Sequence, residues 1–393
     1  MKARILLASI LTISLLAACG RVSLLPSATP PPSLPTATTL LPTSTSTPHL
    51  PPSVLHIWLP PRFNPAHNPL LQARLDAFSQ VHSGLQIDVR IKEETGPASA
   101  FESLTLAYAA APAALPDLVA LSRTDLVQAA QSSVIQPIDG LTAALEIPGW
   151  SQSARALSHV QNVSYGFPFA LDALVLGSSG RDSVQSWMDV TGAGPLAFNV
   201  NDAHLLLALY LAAGGTLVND QGKPALDKAT LTRALALFEQ KTILMPVESD
   251  DLAWQSLQRQ GGGFAVGWAT GLLARKQAGV QVEALPGFED TPATLVTGWA
   301  WAVASLDVSR QRLAVELADW LTADDFIHSW DDSIGFLPPR SDPRWDAVLQ
   351  NARVMPSDDV LTAILPVLQQ AQADVLRGVT ADTAAQTAVG QLK

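Results

Sequence analysis

Ten tryptophans and one cysteine are the residues of this chain with the most distinctive chemistry. A tryptophan ring offers a large flat apolar face, which serves equally well in a core and in stacking against a sugar ring. Only three tyrosines accompany the tryptophans, so the excess is specific to the indole ring. The tryptophans alone leave two interpretations open, core packing and ligand stacking.

No sequence signature of an enzyme or of a metal site is present. The nucleophile motif Gly-x-Ser-x-Gly, the zinc motif His-Glu-x-x-His and the phosphate loop Gly-x-x-x-x-Gly-Lys-Ser are all missing. The seven histidines show no spacing typical of metal ligands. We therefore expect no catalysis, no metal and no cofactor. An extracellular hydrolase remains an alternative that requires two carboxylates converging in a cleft.

The single cysteine, Cys19, follows a segment typical of a secretory signal. Basic residues precede an apolar run, Ile5–Leu16, and the small residues Ala17 and Ala18 stand directly before the cysteine. The apolar run is too short for a bilayer span, which needs about 20 residues. The segment resembles a bacterial lipobox, which implies a signal peptide over residues 1–18 and a lipidated cysteine. An ordinary signal peptide with an incidental cysteine is the alternative.

A low-complexity segment separates this signal from the rest of the chain. Residues 21–53 contain 9 prolines and 13 serines or threonines, with almost no charge. Such a composition buries too little apolar surface to offset the entropy of ordering, so we expect an extended segment. We interpret residues 19–53 as the lipidated cysteine followed by a tether. The body from Val54 onwards would then be held outside the cytoplasm.

The composition limits the partners of the body. The chain has a formal net charge of −11, which favours neither nucleic acid nor an electrostatic hold on anionic lipid. With Cys19 assigned to the anchor, no cysteine is left for a disulfide. Residues 54–393 are long for one hydrophobic core, which favours two domains.

Hydrophobic periodicity predicts strands that alternate with helices. The first predicted elements are strand Val54–Leu59, helix Leu70–Val81, strand Leu85–Ile91, helix Ala98–Ala111, strand Asp117–Leu121 and helix Leu126–Gln131. The later ones are strand Ala173–Leu176, helices Ala203–Ala213 and Lys228–Lys241, strands Gly263–Trp268, Val280–Leu285 and Leu295–Ser305, and helices Arg310–Leu321, Asp359–Arg377 and Thr380–Leu392. This order indicates an α/β fold with a mainly parallel sheet. The first turn lacks the glycines of a dinucleotide-binding loop.

Seven short motifs occur in an order that resembles a known family. The motifs are Pro116-Asp117-Leu118-Val119, Tyr165-Gly166-Phe167-Pro168, Ala212-Ala213-Gly214-Gly215-Thr216-Leu217, Gly263-Phe264-Ala265-Val266-Gly267-Trp268, Ala284-Leu285-Pro286-Gly287, Gly298-Trp299-Ala300-Trp301-Ala302-Val303 and Gly335-Phe336-Leu337-Pro338-Pro339-Arg340. Together with the lipobox and the tether, they resemble the family 1 extracellular solute-binding proteins of ABC importers, a maltose-binding-protein-like group. The resemblance covers nearly all of residues 54–393.

The resemblance implies a two-lobed, periplasmic-binding-protein-like α/β fold of type II. Hinge strands would connect the lobes, and hinge motion would close a ligand cleft at their interface. The implied N-terminal lobe comprises residues 54–167 and 298–325, and the implied C-terminal lobe residues 168–297 and 326–393. The implied crossings lie near Phe167–Ala170, near Val296–Gly298 and around Asp325–Ser329.

The resemblance also implies ligand contacts near the ends of strands. Sugar-binding members of the family stack sugar rings on aromatic side chains and bond the hydroxyls to polar ones. The implied ligand-binding residues are Trp58, Phe63, Asp172, His204, Trp268, Trp299 and Arg340. Core packing is the alternative for Trp58, and a turn role for Asp172. A surface position is the alternative for His204 and Arg340, whereas we expect Phe63, in a proline-rich loop, to be exposed.

One part of the chain departs from the sugar-binding pattern. Maltose-type members have an aromatic pair in the helix after Met355-Pro356, where this chain reads Ile364-Leu365-Pro366. A missing stacking surface argues against an oligosaccharide. The sequence predicts a monomeric, lipid-anchored protein of the cell membrane that captures a small solute, with a sugar as the first expectation, and delivers it to an ABC permease. A binding protein that senses its ligand without transport is the alternative.

Overall fold

The computed structural model describes residues 54–179, 184, 186–240, 243–258, 263–276, 279–288 and 292–392. The predicted signal peptide, Cys19 and the tether lie outside the described residues. Within the part of the chain that is described, no helix is both long enough and apolar enough to cross a membrane.

Strands and helices alternate along most of the chain. The strands are β1 (Val54–Leu59), β2 (Gln86–Ile91), β3 (Leu118–Ser122), β4 (His159–Val160), β5 (Val163–Ser164), β6 (Gly166–Ser179), β7 (Leu196–Asn199), β8 (Leu244–Val247), β9 (Phe264–Trp268), β10 (Val280–Ala284), β11 (Leu295–Val303) and β12 (Arg353–Val354). The helices are α1 (Pro69–Val81), α2 (Ala100–Ala110), α3 (Arg123–Gln131), α4 (Gln152–Ser158), α5 (Trp187–Ala193), α6 (His204–Ala212), α7 (Lys228–Leu235), α8 (Asp250–Ser256), α9 (Ala269–Arg275), α10 (Val308–Leu321), α11 (Asp324–Ile334), α12 (Asp346–Leu349), α13 (Asp358–Arg377) and α14 (Ala381–Gln391). The predicted strand Ala173–Leu176 is part of the longer β6, and the predicted helix Lys228–Lys241 is α7 followed by a short 3-10 helix.

The first sheet is built from strands that are each followed by a helix. β1 lies between β2 and β3 and runs parallel to both. Between β1 and β2, helix α1 begins after Asn68, whose side chain accepts a hydrogen bond from Leu71 N at 3.0 Å. The helix buries Leu71, Leu75 and Phe78, which is the face that its periodicity predicts. The predicted parallel α/β order is confirmed in this half of the chain.

Two long antiparallel strands, β6 and β11, connect this sheet to a second one. β11 pairs with β3 on one side and with β6 on the other. The later part of β6 pairs with β9 and β10, and β7 lies between β9 and β8. A Cβ atom added at Gly298 in β11 would lie 2.4 Å from the carbonyl oxygen of Ala170 in β6. Only glycine therefore lets the two connecting strands approach this closely.

Buried side chains form two hydrophobic clusters. The first surrounds β1, β3 and β11 and contains an aromatic stack, in which the ring of Phe169 lies 4.4 Å from Trp301 and 5.3 Å from Trp330 between centroids. The second is built largely from leucine and alanine side chains of α6, α7, α13 and α14. Helix α6 is apolar on nearly every side, so it has to be covered on nearly every side.

The third implied crossing, at residues 325–329, stays an expectation, and its residues are helical. These residues lie within α11, which ends at Gly335 in the left-handed conformation, so a helix stands where a crossing was expected. Its hydrophobic residues pack in the first cluster: Phe326, Ile327 and Trp330. The first cluster also contains side chains of β6, α8 and β9, so packing in it does not assign α11 to one lobe.

Candidate functional site

A cavity of about 580 Å³ lies where the N-terminal ends of α3, α6 and α13 meet β9 and β11. Its volume is within the roughly 300–1,000 Å³ that small-molecule sites occupy. The apolar residues that line it are Trp268, Met355, Pro356, Leu361, Leu365 and Pro366. The polar or charged residues that line it are Arg123, Thr124, His204, Thr297, Asp358 and Thr362.

Trp268 supplies the indole surface of the cavity and is supported by a buried neighbour. It ends β9, and its carbonyl oxygen accepts a hydrogen bond from Nε1 of Trp254 at 3.3 Å. The fully buried Trp254 ring packs against Gly267, where an added Cβ would lie 3.0 Å from the indole. The end of β9 is therefore held in place by core packing. Trp268 itself is only partly buried, so part of its surface remains available at the cavity.

His204 stands beside Trp268 in the first turn of α6. The two rings meet edge-on, with 5.4 Å between centroids and 76° between planes. Asp202 Oδ1 accepts a hydrogen bond from the His204 backbone N at 2.7 Å and lies 2.5 Å from the ring Nδ1. The approach to Nδ1 lacks hydrogen-bond geometry, so this nitrogen is buried beside Asp202 without a hydrogen-bond partner among the described residues.

Arg123 begins α3 on another wall of the cavity. Ser122 caps this helix, since its Oγ accepts a hydrogen bond from Asp125 N at 3.1 Å. The Nη1 of Arg123 donates to the carbonyl oxygens of Leu157 at 2.6 Å and His159 at 3.0 Å. Its Nε is buried without a partner. Burial lowers the pKa of Arg123 to about 10 because desolvation disfavours the charged form.

Helix α13 forms a further wall. Asp358 and Thr362 are four residues apart, as are Leu361 and Leu365, so each pair shares a helix face and reaches the cavity. Burial is the main cause that raises the pKa of Asp125 in α3, and the negative charge of Asp358 raises it further. The acidic groups of α3 and α13 therefore influence each other electrostatically.

Two of the predicted ligand residues, His204 and Trp268, are thus brought together at the cavity, while Asp172 and Trp299 lie on the connecting strands and do not line it. Asp172 in β6 pairs in register with Thr297 of β11, which does line the cavity. The Asp172 carboxylate accepts hydrogen bonds from the N and Oγ1 of Thr270, at 3.1 and 2.6 Å. Burial raises the pKa of Asp172 to about 7.

Trp299 follows Thr297 by two residues and so faces the same side of β11. It is partly buried, and the guanidinium carbon of Arg62 lies 5.4 Å from its ring centroid. The ring of Phe63 packs edge-on against it at 5.3 Å between centroids. Trp299 is therefore close to the cavity in sequence and strand register, with its ring engaged by neighbouring side chains.

Trp58 and Phe63 are core residues in this structure. The expectation that Phe63 is exposed is wrong: the 3-10 helix Pro61–Phe63 turns the ring into the aromatic stack, 5.0 Å from Phe169 between centroids, and buries it fully. Trp58 is 4% exposed, and Nζ of Lys92 lies 4.4 Å from its ring centroid. Neither residue lines the cavity.

Arg340 is buried as well and does not line the cavity. Its guanidinium carbon lies 4.0 Å from the ring centroid of Trp150, and its Nε donates to the carbonyl oxygen of Thr322 at 3.1 Å. These contacts tie a loop to the core, which is a packing role that the sequence alone did not indicate.

Arg123, Thr124, Thr297 and Thr362 line the cavity but were not predicted from the sequence. A signal was present for the first two, because they directly follow a predicted strand, and ligands bind at the carboxyl ends of parallel strands in α/β sheets. Thr297 lies inside the predicted crossing Val296–Gly298. Among the described residues, no group of three or more His, Cys, Asp or Glu side chains is placed to hold an ion.

Residues 73–356 match a protein family described as bacterial extracellular solute-binding protein. The chain belongs to this family. Its members are binding proteins that act outside the cytoplasm, not enzymes. A comparison with curated protein sequences found no significant match.

Many solved structures share this fold. A cyclo/maltodextrin-binding protein complexed with maltotetraose has a TM-score of 0.71 and 17% identity, over 88% of this chain and 98% of its own. The sugar-binding protein MalE from Xanthomonas citri has a TM-score of 0.69 and 17% identity, over 86% of this chain and 96% of its own. UgpB from Mycobacterium tuberculosis in complex with glycerophosphocholine has a TM-score of 0.61 and 15% identity, over 86% and 97%. The two-lobed, periplasmic-binding-protein-like fold is confirmed.

Proposed function

We propose that this solute-binding protein captures a small sugar in the cavity described above and delivers it to an ABC permease. The observation that carries the proposal is one partly exposed indole face, that of Trp268, together with hydroxyl groups on the other walls. A sugar presents apolar ring faces and polar edges, so its site needs both kinds of surface. Thr124, Thr297 and Thr362 can each donate and accept hydrogen bonds, and Nε2 of His204 can donate or accept one.

The relatives support a small polar solute without fixing which one. One is complexed with maltotetraose, another is described as sugar-binding, and a third is complexed with glycerophosphocholine. The same fold thus holds solutes of different charge. The ligand class of this chain has to follow from the residues that line its own cavity.

The lining favours a short sugar over a long oligosaccharide. Trp268 is the one tryptophan, tyrosine or phenylalanine among the described lining residues. Helix α13 presents Leu365 and Pro366 where maltose-type relatives have an aromatic pair. Each further ring of an oligosaccharide would therefore lack a flat stacking surface. We expect a ligand of one or two rings.

We propose that two lobes close on this ligand about β6 and β11. The sequence divides them into residues 54–167 with 298–325 and residues 168–297 with 326–393. The third implied crossing, at residues 325–329, lies within α11. Arg123 then belongs to one lobe and Trp268 to the other. A ligand that touches both lobes only when they are closed stabilises the closed state.

We propose that Cys19 is lipidated and holds a monomeric protein at the outer face of the cell membrane. The small residues before the single cysteine and the proline-rich residues 21–53 support this assignment. One acyl chain such as palmitate binds a bilayer only marginally, whereas two signals anchor stably. Cys19→Ser should move the protein from the membrane fraction to the soluble fraction. A variant that stays in the membrane fraction would refute the anchor.

Thermal unfolding of the purified chain with a panel of sugars, amino acids, polyamines and anions tests the sugar assignment. A ligand that binds only the folded state, at 100 times its Kd, adds about 2.7 kcal/mol to stability. We expect a rise in Tm with one class of sugar. A rise with amines alone, and with no sugar, would leave the fold intact and refute a sugar as the ligand.

A further inference from the structure

Arg123 brings to the cavity a positive charge that no carboxylate neutralises within the described part of the chain. Its Nη1 is used by the carbonyl oxygens of Leu157 and His159, while Nε is buried without a partner and Nη2 makes no hydrogen bond to a described residue. Desolvation lowers its pKa, and no acidic residue acts in the opposite direction. The folded protein therefore holds a partly desolvated guanidinium without a counter-ion.

Other partly buried arginines of this chain are paired with carboxylates. The Nη1 of Arg74 donates to Asp325 at 2.9 Å, and the Nε of Arg310 donates to Asp117 at 2.6 Å. Arg123 departs from this pattern, and it does so at the wall of the cavity. An arginine that receives its counter-ion from a bound ligand would have this environment.

The helices that surround the cavity act in the same direction. α3, α6 and α13 begin at Arg123, His204 and Asp358, and all three of these residues line the cavity. The N-terminus of a helix carries about half a positive charge and unpaired N–H groups, which favour an anion nearby. At α6 the Asp202 carboxylate already contacts His204, so this helix start adds no net positive charge.

Besides Asp202, the carboxylates of Asp125 and Asp358 oppose an anion, and their positions limit where it can bind. Asp358 is exposed on α13, so water and salt screen its charge. Asp125 accepts a hydrogen bond from Ser122 Oγ at 2.9 Å, and burial together with the charges of Asp358 and Glu102 raises its pKa. Because Asp125 lies on the same helix as Arg123, the anion is favoured only against the Arg123 guanidinium itself.

We infer that the solute is a sugar or polyol with an anionic substituent, a carboxylate or a phosphate, that binds Arg123 while the ring lies on Trp268. This inference rests on the proposed sugar-binding function and narrows its ligand class. A neutral sugar would leave the guanidinium without a counter-ion in a cleft that loses water on closure. Carboxylate and phosphate oxygens both match a guanidinium, so the test has to separate them.

Calorimetric titration of the purified chain with matched sugars tests the inference. The probes are glucose, glucuronate, a phosphorylated glucose, galactose and galacturonate, with acetate and inorganic phosphate as anions that lack a ring. We expect at least one acidic sugar to bind about tenfold or more tightly than the neutral sugar of the same ring. This advantage should shrink as salt rises from about 0.05 to 0.5 M, because ions screen the charge pair. The carboxylate and phosphate probes identify which anion is preferred.

Variants of Arg123 assign the preference to this residue. Arg123→Gln should bring the acidic and neutral sugars to similar affinity, and Arg123→Lys should keep part of the difference because it keeps the charge. Arg123→Gln could unfold because it loses the Nη1 hydrogen bonds. In that case, the affinity of acidic relative to neutral sugar, measured in the wild type and in Arg123→Lys, still tests the inference. Arg312→Gln is the matched control, since Arg312 is exposed on α10 and does not line the cavity.

The outcomes separate this inference from the function on which it rests. A neutral sugar that binds as tightly as its acidic counterpart overturns the inference and leaves the sugar-binding function standing. A preference for acid that survives Arg123→Gln also overturns it. Acetate or phosphate that binds as tightly as the acidic sugar overturns both, because the ring would then contribute nothing. No response to any sugar overturns the proposed function and the inference together.

Discussion

Replacing Asp172 by asparagine tests a coupling between pH and stability at the strands that join the lobes. Asp172 lies in β6, opposite Thr297 of β11, and its carboxylate accepts both hydrogen bonds of Thr270. Burial is the main cause that raises its pKa to about 7, and the hydrogen bonds from Thr270 only partly counteract it. The native protein therefore holds a proton at this position over most of the acidic range.

The sign and size of the effect follow from proton linkage. An unfolded aspartate has a pKa of about 3.9, so the folded state binds this proton more tightly by about three pKa units, or at most about 4 kcal/mol. The stabilisation is fully present below about pH 4 and is lost as the pH rises through the folded pKa near 7. An asparagine side chain cannot ionise, so the free energy of unfolding of Asp172→Asn lacks this decrease with rising pH. Between about pH 4 and pH 8, the wild type should lose up to about 4 kcal/mol relative to the variant.

Urea unfolding followed by tryptophan fluorescence measures this difference at a series of pH values in the absence of ligand. Other acids with raised pKa values, such as Asp331, titrate in both proteins and cancel in the comparison. Asp220→Asn is the control, because Asp220 is exposed in a turn. A stability difference between wild type and Asp172→Asn that stays constant over this pH range would refute the reasoning.

Substitutions at three further positions, Trp268, Gly298 and Asp331, give testable predictions from the same structure. Trp268→Ala should weaken sugar binding about tenfold or more and Trp268→Phe less, because phenylalanine keeps a stacking face; equal affinity for all three proteins in calorimetry would remove the stacking role. Gly298→Ala should lower the free energy of unfolding in urea by about 1–3 kcal/mol or more, because the added Cβ would lie 2.4 Å from a backbone oxygen. The control is Gly390→Ala, where the space is open, and it should be neutral or slightly stabilising. Asp331→Asn should stabilise the protein at about pH 8 more than at pH 5, because both carboxylate oxygens are buried without a partner and burial raises the pKa; an equal change at both pH values would contradict this.

The regular elements of this chain could be predicted because their signals are local. The spacing of Leu71, Leu75 and Phe78 fixes the buried face of α1, and a cap residue at Asn68 fixes its start. The glycine at position 298 fits a family motif, and the structure supplies the reason for it in the close approach of β6 and β11. His204 and Trp268 were expected at the ligand from the family resemblance, and both line the cavity.

The remaining site residues depend on contacts between distant parts of the chain, which periodicity does not report. Phe63 has the local sequence of an exposed loop, yet a short 3-10 helix turns it into the aromatic stack. Arg123 looks like an ordinary solvent-facing residue at a helix start. Its importance comes from the carbonyl groups of Leu157 and His159, more than thirty residues away, which fix its side chain and remove water from it.

In the closure proposed about β6 and β11, the charges around the cavity would oppose closure of the empty cleft. Asp125 and Asp358 carry like charges on α3 and α13, so bringing the two helices together without a ligand raises their repulsion. Closure also removes water from Arg123 while its charge is unpaired. An anionic group placed on Arg123 offsets this desolvation, and hydroxyl groups between the helices keep the two carboxylates apart. Pairing of the solute with Arg123 would then have to outweigh the repulsion from the two carboxylates, and a ligand that binds the closed state better shifts the population towards it.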